Sequence, residues 1–406
     1  MKKGIVVVLA ITLLLSGCSL KQVNEENIDL SKENANNVEV STKNVDVKNV
    51  ENDKDTENVE AKEIEKNIDN TTKIEPNSTN VETTTSKEDS NKEDVKEATN
   101  FTELSTKELK KIKANELGEI MVIMYHGLSK KNATYSRTAE SFKKDLQELY
   151  DSGFRLLSLK DFVNGNITTK AGYTPVVLTF DDGNRSNFNI LIDENGDKEI
   201  DPNSVVGIME DFYDKHNDFG LEATFFLNGG TPFGQKNLVK YKLNHIINVG
   251  MDIGNHSYHH GHFKTMDADK IENTLANVVK EYEPLMNGYK INTLALPFGE
   301  RPKNDAAKEK LVSGSYDGTK YNNIAILNVG WRPSWSAYSK RFNPKSILRV
   351  QSGDGKLQLR HWLDLYKEKP RLKFISDGNP KTITIREGNE KYLSKESLDE
   401  YKIVTY

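Results

Sequence analysis

The chain has 406 residues and a mass of 46.0 kDa, enough for two or three domains at ~150 residues each. Its composition is uneven: residues 1–100 hold no Phe, Tyr or Trp, and between Gly17 and Gly118 there is no Gly and only one Pro, Pro76. The net charge of −5 splits into +2 over residues 1–20, −10 over residues 21–100 and +3 over residues 101–406. An acidic stretch without aromatics buries too little surface to offset its ordering entropy, so a core must come from the remainder. No basic stripe marks a nucleic-acid partner, and a sole cysteine, Cys18, excludes a disulfide framework.

Lys2 and Lys3 precede an apolar run from Ile5 to Leu15. The run is too short to span a bilayer and fits the hydrophobic region of a signal peptide. It ends in Leu15-Ser16-Gly17-Cys18, which resembles the lipobox of bacterial lipoproteins. The resemblance implies cleavage before Cys18, lipidation of its thiol and an anchor on the outer, extracytoplasmic face of the cell membrane. Each buried acyl CH₂ contributes ~0.8 kcal/mol to such an anchor. Residues 1–17 are then a leader. Residues 18–103 read as a disordered acidic linker with a coil dimension of roughly 50 Å, which holds the rest of the chain away from the membrane.

A helical register at Leu104, Leu109, Ile112 and Leu117 marks the start of the folded part. Ile120 to Met124 is an apolar run that predicts a buried strand, and Phe142, Leu146, Leu149 and Tyr150 recur at helical spacing before Gly153. Val176 to Phe180 predicts a second strand, Val205, Ile208, Met209 and Phe212 a helix, and Ala223 to Leu227 a third strand. Ile271, Leu275, Val278, Val279 and Tyr282 predict a further helix closed by Pro284 and Gly288; Thr293 to Leu296 and Ile324 to Leu327 predict later strands. Strands alternating with helices imply an α/β fold with a parallel sheet, open or closed into a barrel, with polar groups at the carboxyl ends of strands. We read 104–350 as the main domain. Residues 351–406 read as a small C-terminal β appendage, with a hairpin of Leu372–Ile375 and Ile383–Ile385 about the turn Asp377-Gly378-Asn379-Pro380.

Two clusters carry chemistry. Thr179-Phe180-Asp181-Asp182-Gly183 closes a predicted strand, so two carboxylates can face one cleft, one to hold a metal and one to act as base. Gly254-Asn255-His256-Ser257-Tyr258-His259-His260 comes later in the chain. On a helical turn His256 and His260 share a face, and a carboxylate with two imidazoles leaves positions open for water, as in catalytic zinc sites. His259 and His262 stay open as ligands on spacing alone. Zinc leads, and cobalt, nickel or iron also suit these donors. Asp193 to Asp201 alternates oxygen ligands as calcium loops do, but Lys198 and Ser204 stand where Gly and Glu are required, so it reads as a solvated loop.

With Ala223-Thr224-Phe225-Phe226, these motifs resemble the polysaccharide deacetylases, the NodB-homology domain of carbohydrate esterase family 4, over about 120–350. The resemblance implies a distorted (β/α) barrel of about seven strands and metal-dependent hydrolysis of N-acetyl groups on a sugar polymer. It implies Asp181 as general base, Asp182, His256 and His260 as metal ligands, and Ser257 as a hydroxyl supporting the ligand loop. Phe298, in Leu296-Pro297-Phe298-Gly299, is the position whose backbone N–H would hold the oxyanion.

The chain also departs from that pattern. Ala295 stands where the family carries an Arg that holds the base, and Ile347-Leu348-Arg349 stands where a Leu-x-His motif often supplies the general acid. These gaps resemble the subgroup acting on poly-β-1,6-N-acetylglucosamine, whose early Tyr-His matches Tyr125-His126. His126 is then the general-acid candidate and Arg349 the replacement partner for Asp181. Trp331, Trp335 and Tyr258 are candidates for stacking on sugar rings, although each residue type is equally at home in a core. Two rival readings stand beside the N-acetylglucosamine deacetylase: an O-acetyl esterase on xylan or wall glycan, and a catalytically silent wall-binding lipoprotein.

Overall fold

The computed structural model describes residues 103–406; the leader, Cys18 and all of the linker reading except Glu103 lie outside the described residues. Eight short strands form one parallel sheet: β1 (Met121–Tyr125), β2 (Phe154–Leu156), β3 (Thr174–Phe180), β4 (Thr224–Leu227), β5 (Asp252–Asn255), β6 (Thr293–Ala295), β7 (Ala325–Leu327) and β8 (Val350–Gln351). Seven run in the order β7-β6-β5-β4-β3-β1-β8, and β2 pairs with the first half of β3. The two ends of this curled sheet approach each other: Leu327 at the end of β7 bridges Ile347, while Val350 of β8 pairs with Ile123 of β1. The result is the parallel sheet expected from the alternation of strand and helix, curled into the distorted barrel that the family resemblance implies.

Helices α1 (Ala139–Asp151), α2 (Val205–Lys215), α3 (Val239–Asn248) and α4 (Ala268–Tyr282) cover the outside. Three begin at a side-chain cap: Thr138 accepts from the Ser141 N–H, Ser204 from Gly207 and Asp267 from Lys270, each cap contributing about 1 kcal/mol. The predicted stripes face inward, with Phe142, Leu146 and Leu149 of α1 and Ile271, Leu275 and Val278 of α4 all buried. Full burial of each such side chain contributes ~1.5–3 kcal/mol. The helical register near the start is a single helix, Thr106–Ile112, closed at its N-terminus by a reciprocal Ser105–Glu108 capping box.

Alternation along the strands separates two cores. Met121, Ile123, Tyr125, Leu178 and Phe180 pack with the helices. Ile120, Val122, Val177, Phe226, Ala295, Leu327 and Ile347 form a second cluster. Gly254 is required beside it, because a Cβ there would lie 2.4 Å from the Phe226 ring. By the same period, Thr179 and Asp181 continue the face of Val177, and Arg349 that of Ile347, so both polar groups rise from this second cluster.

The C-terminal segment differs from the hairpin expectation. Thr382–Ile385 (β9) pairs in parallel with Lys402–Thr405 (β10), through a crossover that includes the helix Lys395–Glu400, as parallel pairing requires. The preceding stretch bonds elsewhere: Ile375 bridges Asn115 and Lys373 bridges Glu119. The turn is present and is stapled by Asp377, whose carboxylate accepts from Asn379 N–H and from the Thr382 and Thr384 hydroxyls. Phe374, Ile383 and Ile385 belong to the same apolar cluster as Ile120 and Val122. Residues 190–200 form an antiparallel hairpin that periodicity did not reveal. Its Asp193 carboxylate accepts from the Asn195 and Asp197 N–H groups, consistent with a solvated loop. Among the described residues no helix is long and apolar enough to cross a membrane.

Candidate active site

β3 delivers Asp181 to the carboxyl end of the sheet, 1% exposed, with its N–H donating to the Tyr125 carbonyl of the neighbouring strand at 3.0 Å. The chain then turns sharply, with φ of 76° at Asp182 and 61° at Gly183. Both are left-handed values, costly for Asp182 and free of strain for glycine. The turn sends the two adjacent carboxylates to different partners.

Asp181 meets Arg349. The guanidinium donates from Nη1 to Oδ1 at 2.8 Å and from Nη2 to Oδ2 at 2.7 Å, a bidentate pair, with both residues closed to solvent. Arg349 Nε donates to the Asn328 carbonyl at 2.7 Å, which fixes the fork. Burial raises the Asp181 pKa, but Arg349, His256 and His126 lower it further, and the net places it well below the usual carboxylate range. Asp181 is therefore ionised at any physiological pH. Arg349 thus occupies the role that Ala295 vacates.

Asp182 meets the imidazoles. Its Oδ1 lies 3.4 Å from His256 Nε2 and 3.5 Å from His260 Nε2, and one ligand atom from each of the three residues falls within 4.8 Å of the others. His256 comes directly after β5, its N–H donating to the Leu227 carbonyl. Its Nδ1 faces the Ala295 carbonyl at 2.9 Å, so Nδ1 carries the proton and Nε2 offers its lone pair toward Asp182. Burial lowers the His256 pKa, yet Asp181 and Asp182 raise it more, and the net is upward: the pocket favours positive charge. Burial and His256 lower His260. An acid with two imidazoles in an electronegative pocket fits a divalent metal.

His260 reaches this position by a different route from the expected helical turn. Residues 256–262 form a loop with left-handed backbone at Ser257 (φ 62°) and His260 (φ 49°). Asn228 holds the loop, its amide donating to the His256 and Ser257 carbonyls at 2.7 and 3.0 Å. The Ser257 N–H donates to Asn255 Oδ1 at 2.9 Å. The buried Ser257 hydroxyl has no hydrogen-bond partner among the described residues.

His126 comes directly after β1 at the same end of the sheet. Its carbonyl accepts from Asn187 Nδ2 at 2.8 Å. Burial lowers its pKa, partly offset by the charges of Asp181 and Asp182. Phe298 lies in a single helical turn with φ 56°, and its N–H makes no hydrogen bond among the described residues. Its ring meets His260 edge-on at 4.5 Å and stacks on His262 at 4.3 Å, with planes 10° apart. His262, open as a ligand from spacing, instead pairs with Glu300 at 3.2 Å, and His259 packs on Tyr258.

The proposed sugar-stacking residues each make contacts outside the Asp182, His256 and His260 cluster. Trp335 lies beside Ser334, which bridges Ile120 at the opposite end of β1 from His126, and its ring is covered by Arg332 and Arg341. Trp331 bridges Val350 and is 61% exposed. Tyr258 packs on Gly229, where a Cβ would meet its ring at 2.4 Å, and its N–H donates to the Thr274 hydroxyl of α4. Residues that sequence reasoning missed include Asn187, Asn228 and Asn328. They act on backbone carbonyls or through their own, which leave no spacing signal.

Residues 169–313 match the family model described as polysaccharide deacetylase; the match takes in Asp181, Asp182, His256, His260 and Phe298 and leaves out His126 and Arg349. Several solved structures are similar. The Streptococcus pyogenes deacetylase PplD in complex with acetate is 18% identical, over 61% of this chain and 97% of that one, with a TM-score of 0.45. A polysaccharide deacetylase from Bacillus cereus is 15% identical over 61% and 68%, with a TM-score of 0.44. IcaB from Ammonifex degensii is 15% identical over 61% and 96%, with a TM-score of 0.42. No curated protein sequence matches the chain.

Proposed function

The chain carries a polysaccharide deacetylase domain, and on that premise we propose that it hydrolyses N-acetyl groups on an N-acetylglucosamine polymer of the cell surface or wall, releasing acetate. The observation that carries this reading is the division of labour at one turn: Asp181 bidentate to a buried arginine, and Asp182 turned toward two imidazoles.

Asp182, His256 and His260 would hold the metal, zinc first, with cobalt, nickel or iron also suited. When bound, such an ion polarises the acetamide carbonyl and lowers the pKa of water. The protein's own groups do the rest. Asp181, ionised and fixed by Arg349, accepts the proton of the attacking water. The free Phe298 N–H donates to the oxygen that gains charge in the tetrahedral transition state. His126 gives a proton to the departing sugar amine. Arg349 orients Asp181 without touching substrate. Removing acetyl leaves an amine, so the polymer gains positive charge.

The same proposal includes the address. The lipobox-like Leu15-Ser16-Gly17-Cys18 supports lipid attachment at Cys18 and an extracytoplasmic place on the membrane, with the acidic linker as a tether. Metabolic labelling with a palmitate analogue would test it: label on the wild type and none on Cys18→Ala is expected, and label on both refutes it.

The activity test measures acetate released by the full chain, metal-stripped and then reloaded with zinc or cobalt, with Asp181→Asn as blank. Substrates are β-1,6- and β-1,4-linked N-acetylglucosamine oligomers and acetylated xylan. Metal-dependent release from one glucosamine series is expected. Release from xylan alone moves the assignment to an esterase. Metal binding with no turnover of any of the three moves it to a silent binder.

A further inference from the structure

Among the described residues the aromatic ring that packs on His126 is that of Tyr135, not one of those singled out from the sequence. We propose that Tyr135 is the stacking residue of the site: a pyranose ring packs on its exposed face and is thereby held against His126. This rests on the deacetylase reading and extends it to a subsite.

Three observations support the assignment. The Tyr135 ring lies 4.9 Å from the His126 ring at 59°, so a ligand resting on it is brought beside the proposed acid. The residue is 53% exposed and its hydroxyl has no hydrogen-bond partner among the described residues, so both a ring face and a polar tip are free for a ligand. A tyrosine offers a flat apolar face with a polar tip, which suits a sugar ring that has an apolar face and a rim of hydroxyls.

The loop that carries Tyr135 is also fixed before any ligand arrives. Asn132 accepts from the Thr138 N–H at 2.8 Å and donates to the Ser141 hydroxyl at 2.8 Å, which ties the loop to the first turn of α1. Ser129 donates to the Lys131 carbonyl at 2.6 Å, Gln351 of β8 donates to the Thr134 carbonyl, and Gly127–Leu128 pairs with Ser136–Arg137. A ring held this way loses little conformational entropy on binding, so its contact area is expressed as affinity.

The test uses a β-1,6-linked and a β-1,4-linked N-acetylglucosamine pentasaccharide with the zinc-loaded full chain. Tyr135→Ala is expected to raise KM for the better substrate about tenfold with a much smaller change in kcat, and Tyr135→Phe to restore most of the loss. Equal KM for wild type and Tyr135→Ala overturns the proposal. So does a loss confined to kcat, which would mean that Tyr135 supports His126 instead of the sugar. Calorimetric binding of both pentasaccharides to Asp181→Asn, with and without Tyr135→Ala, separates the two readings. Tyr135-dependent binding without wild-type turnover keeps the subsite and removes the deacetylase. Equal or absent binding of both sugars to the two variants removes the subsite, whether or not the wild type turns over.

Discussion

Replacing Arg349 with methionine tests the centre of the site, because its partner stays behind. Asp181 is 1% exposed, and the substitution strips two charge-assisted hydrogen bonds from it and a third from the Asn328 carbonyl. Breaking a buried ion pair from one side costs about 3–5 kcal/mol, since an uncompensated charge remains. That is a large part of the ~5–15 kcal/mol that holds most domains together. Adding Asp181→Asn removes the stranded charge, and the double variant is expected to recover about 2 kcal/mol or more of the loss. The pH dependence has opposite signs in the two proteins. In the wild type the native pKa of Asp181 lies below its unfolded value of ~3.9. Stability from the pair is therefore complete above that value and is lost only as pH falls through the native pKa; between pH 5 and 8 it is flat. Without the guanidinium, burial is opposed only by the charges of His256 and His126, and the native pKa is expected to rise above the unfolded one. The folded variant then binds the extra proton, and its deficit shrinks as pH falls from 8 to 5. Urea unfolding of metal-stripped protein, followed by tryptophan fluorescence, reads all three quantities. A deficit under about 1 kcal/mol, or a double variant no more stable than the single, would mean that water reaches Asp181 and that the pair is not buried as described.

Single substitutions His256→Ala, His260→Ala and Asp182→Asn should each abolish stoichiometric zinc binding by mass spectrometry of metals, with the fold kept by circular dichroism; full zinc content in any of them refutes the triad. Glu222, pushed up to about 7 by burial and by Asp252 and Asp161, binds a proton more tightly folded than unfolded. Its contribution therefore falls as pH rises from its ordinary value of 4.5 through 7. Glu222→Gln should match the wild type near pH 4 and exceed it by about 1–2 kcal/mol at pH 8, read by denaturant titration; parallel curves refute it. Gly118→Ala should lower the melting temperature sharply, because its Cβ would lie 2.2 Å from the Lys373 backbone and the clash is worth about 1–3 kcal/mol or more. An unchanged melting temperature means that residues 371–385 do not dock against the start of β1.

Strands and helices of the barrel were legible because they are buried on a regular period. Val176 to Phe180 and the stripe from Ile271 to Tyr282 have one environment each, and hydrophobicity records it. The cluster of Asp182, His256 and His260, which could hold a metal ion, was legible because donor chemistry restricts residue type. What failed was geometry that side-chain identity does not encode. His256 and His260 converge through left-handed backbone at Ser257 and His260, not a helical turn, and a loop has no period to read. Thr382–Ile385 carries strand propensity, but nothing local in it distinguishes a hairpin from a parallel pairing with residues 402–405. Tryptophan is ambiguous for a related reason: Trp335 covered by two arginines and a tryptophan lining a sugar groove look alike in one dimension.

Ala295 and Arg349 are best understood together. Both belong to segments whose side chains enter the cluster of Val177 and Ile347, so either position faces the same interior as Asp181. A buried carboxylate there needs one cation: none leaves it stranded, and two would face each other across a low-dielectric core. With a small side chain at 295, the β6 backbone keeps only its second task, the carbonyl that sets the His256 tautomer. The guanidinium then comes from the segment leading into β8, whose partner carbonyl at Asn328 lies just beyond β7. Charge at a point in space, rather than residue type at a point in the chain, is what this buried carboxylate requires. An alignment of motifs reads Ala295 as a gap; the fold closes it from the strand that joins the two ends of the sheet. The exchange also bears on the silent-binder reading. A protein that used this fold only to hold glycan would gain nothing from a closed, bidentate arginine on Asp181, since replacing such a pair by apolar side chains of similar volume is often neutral or stabilising.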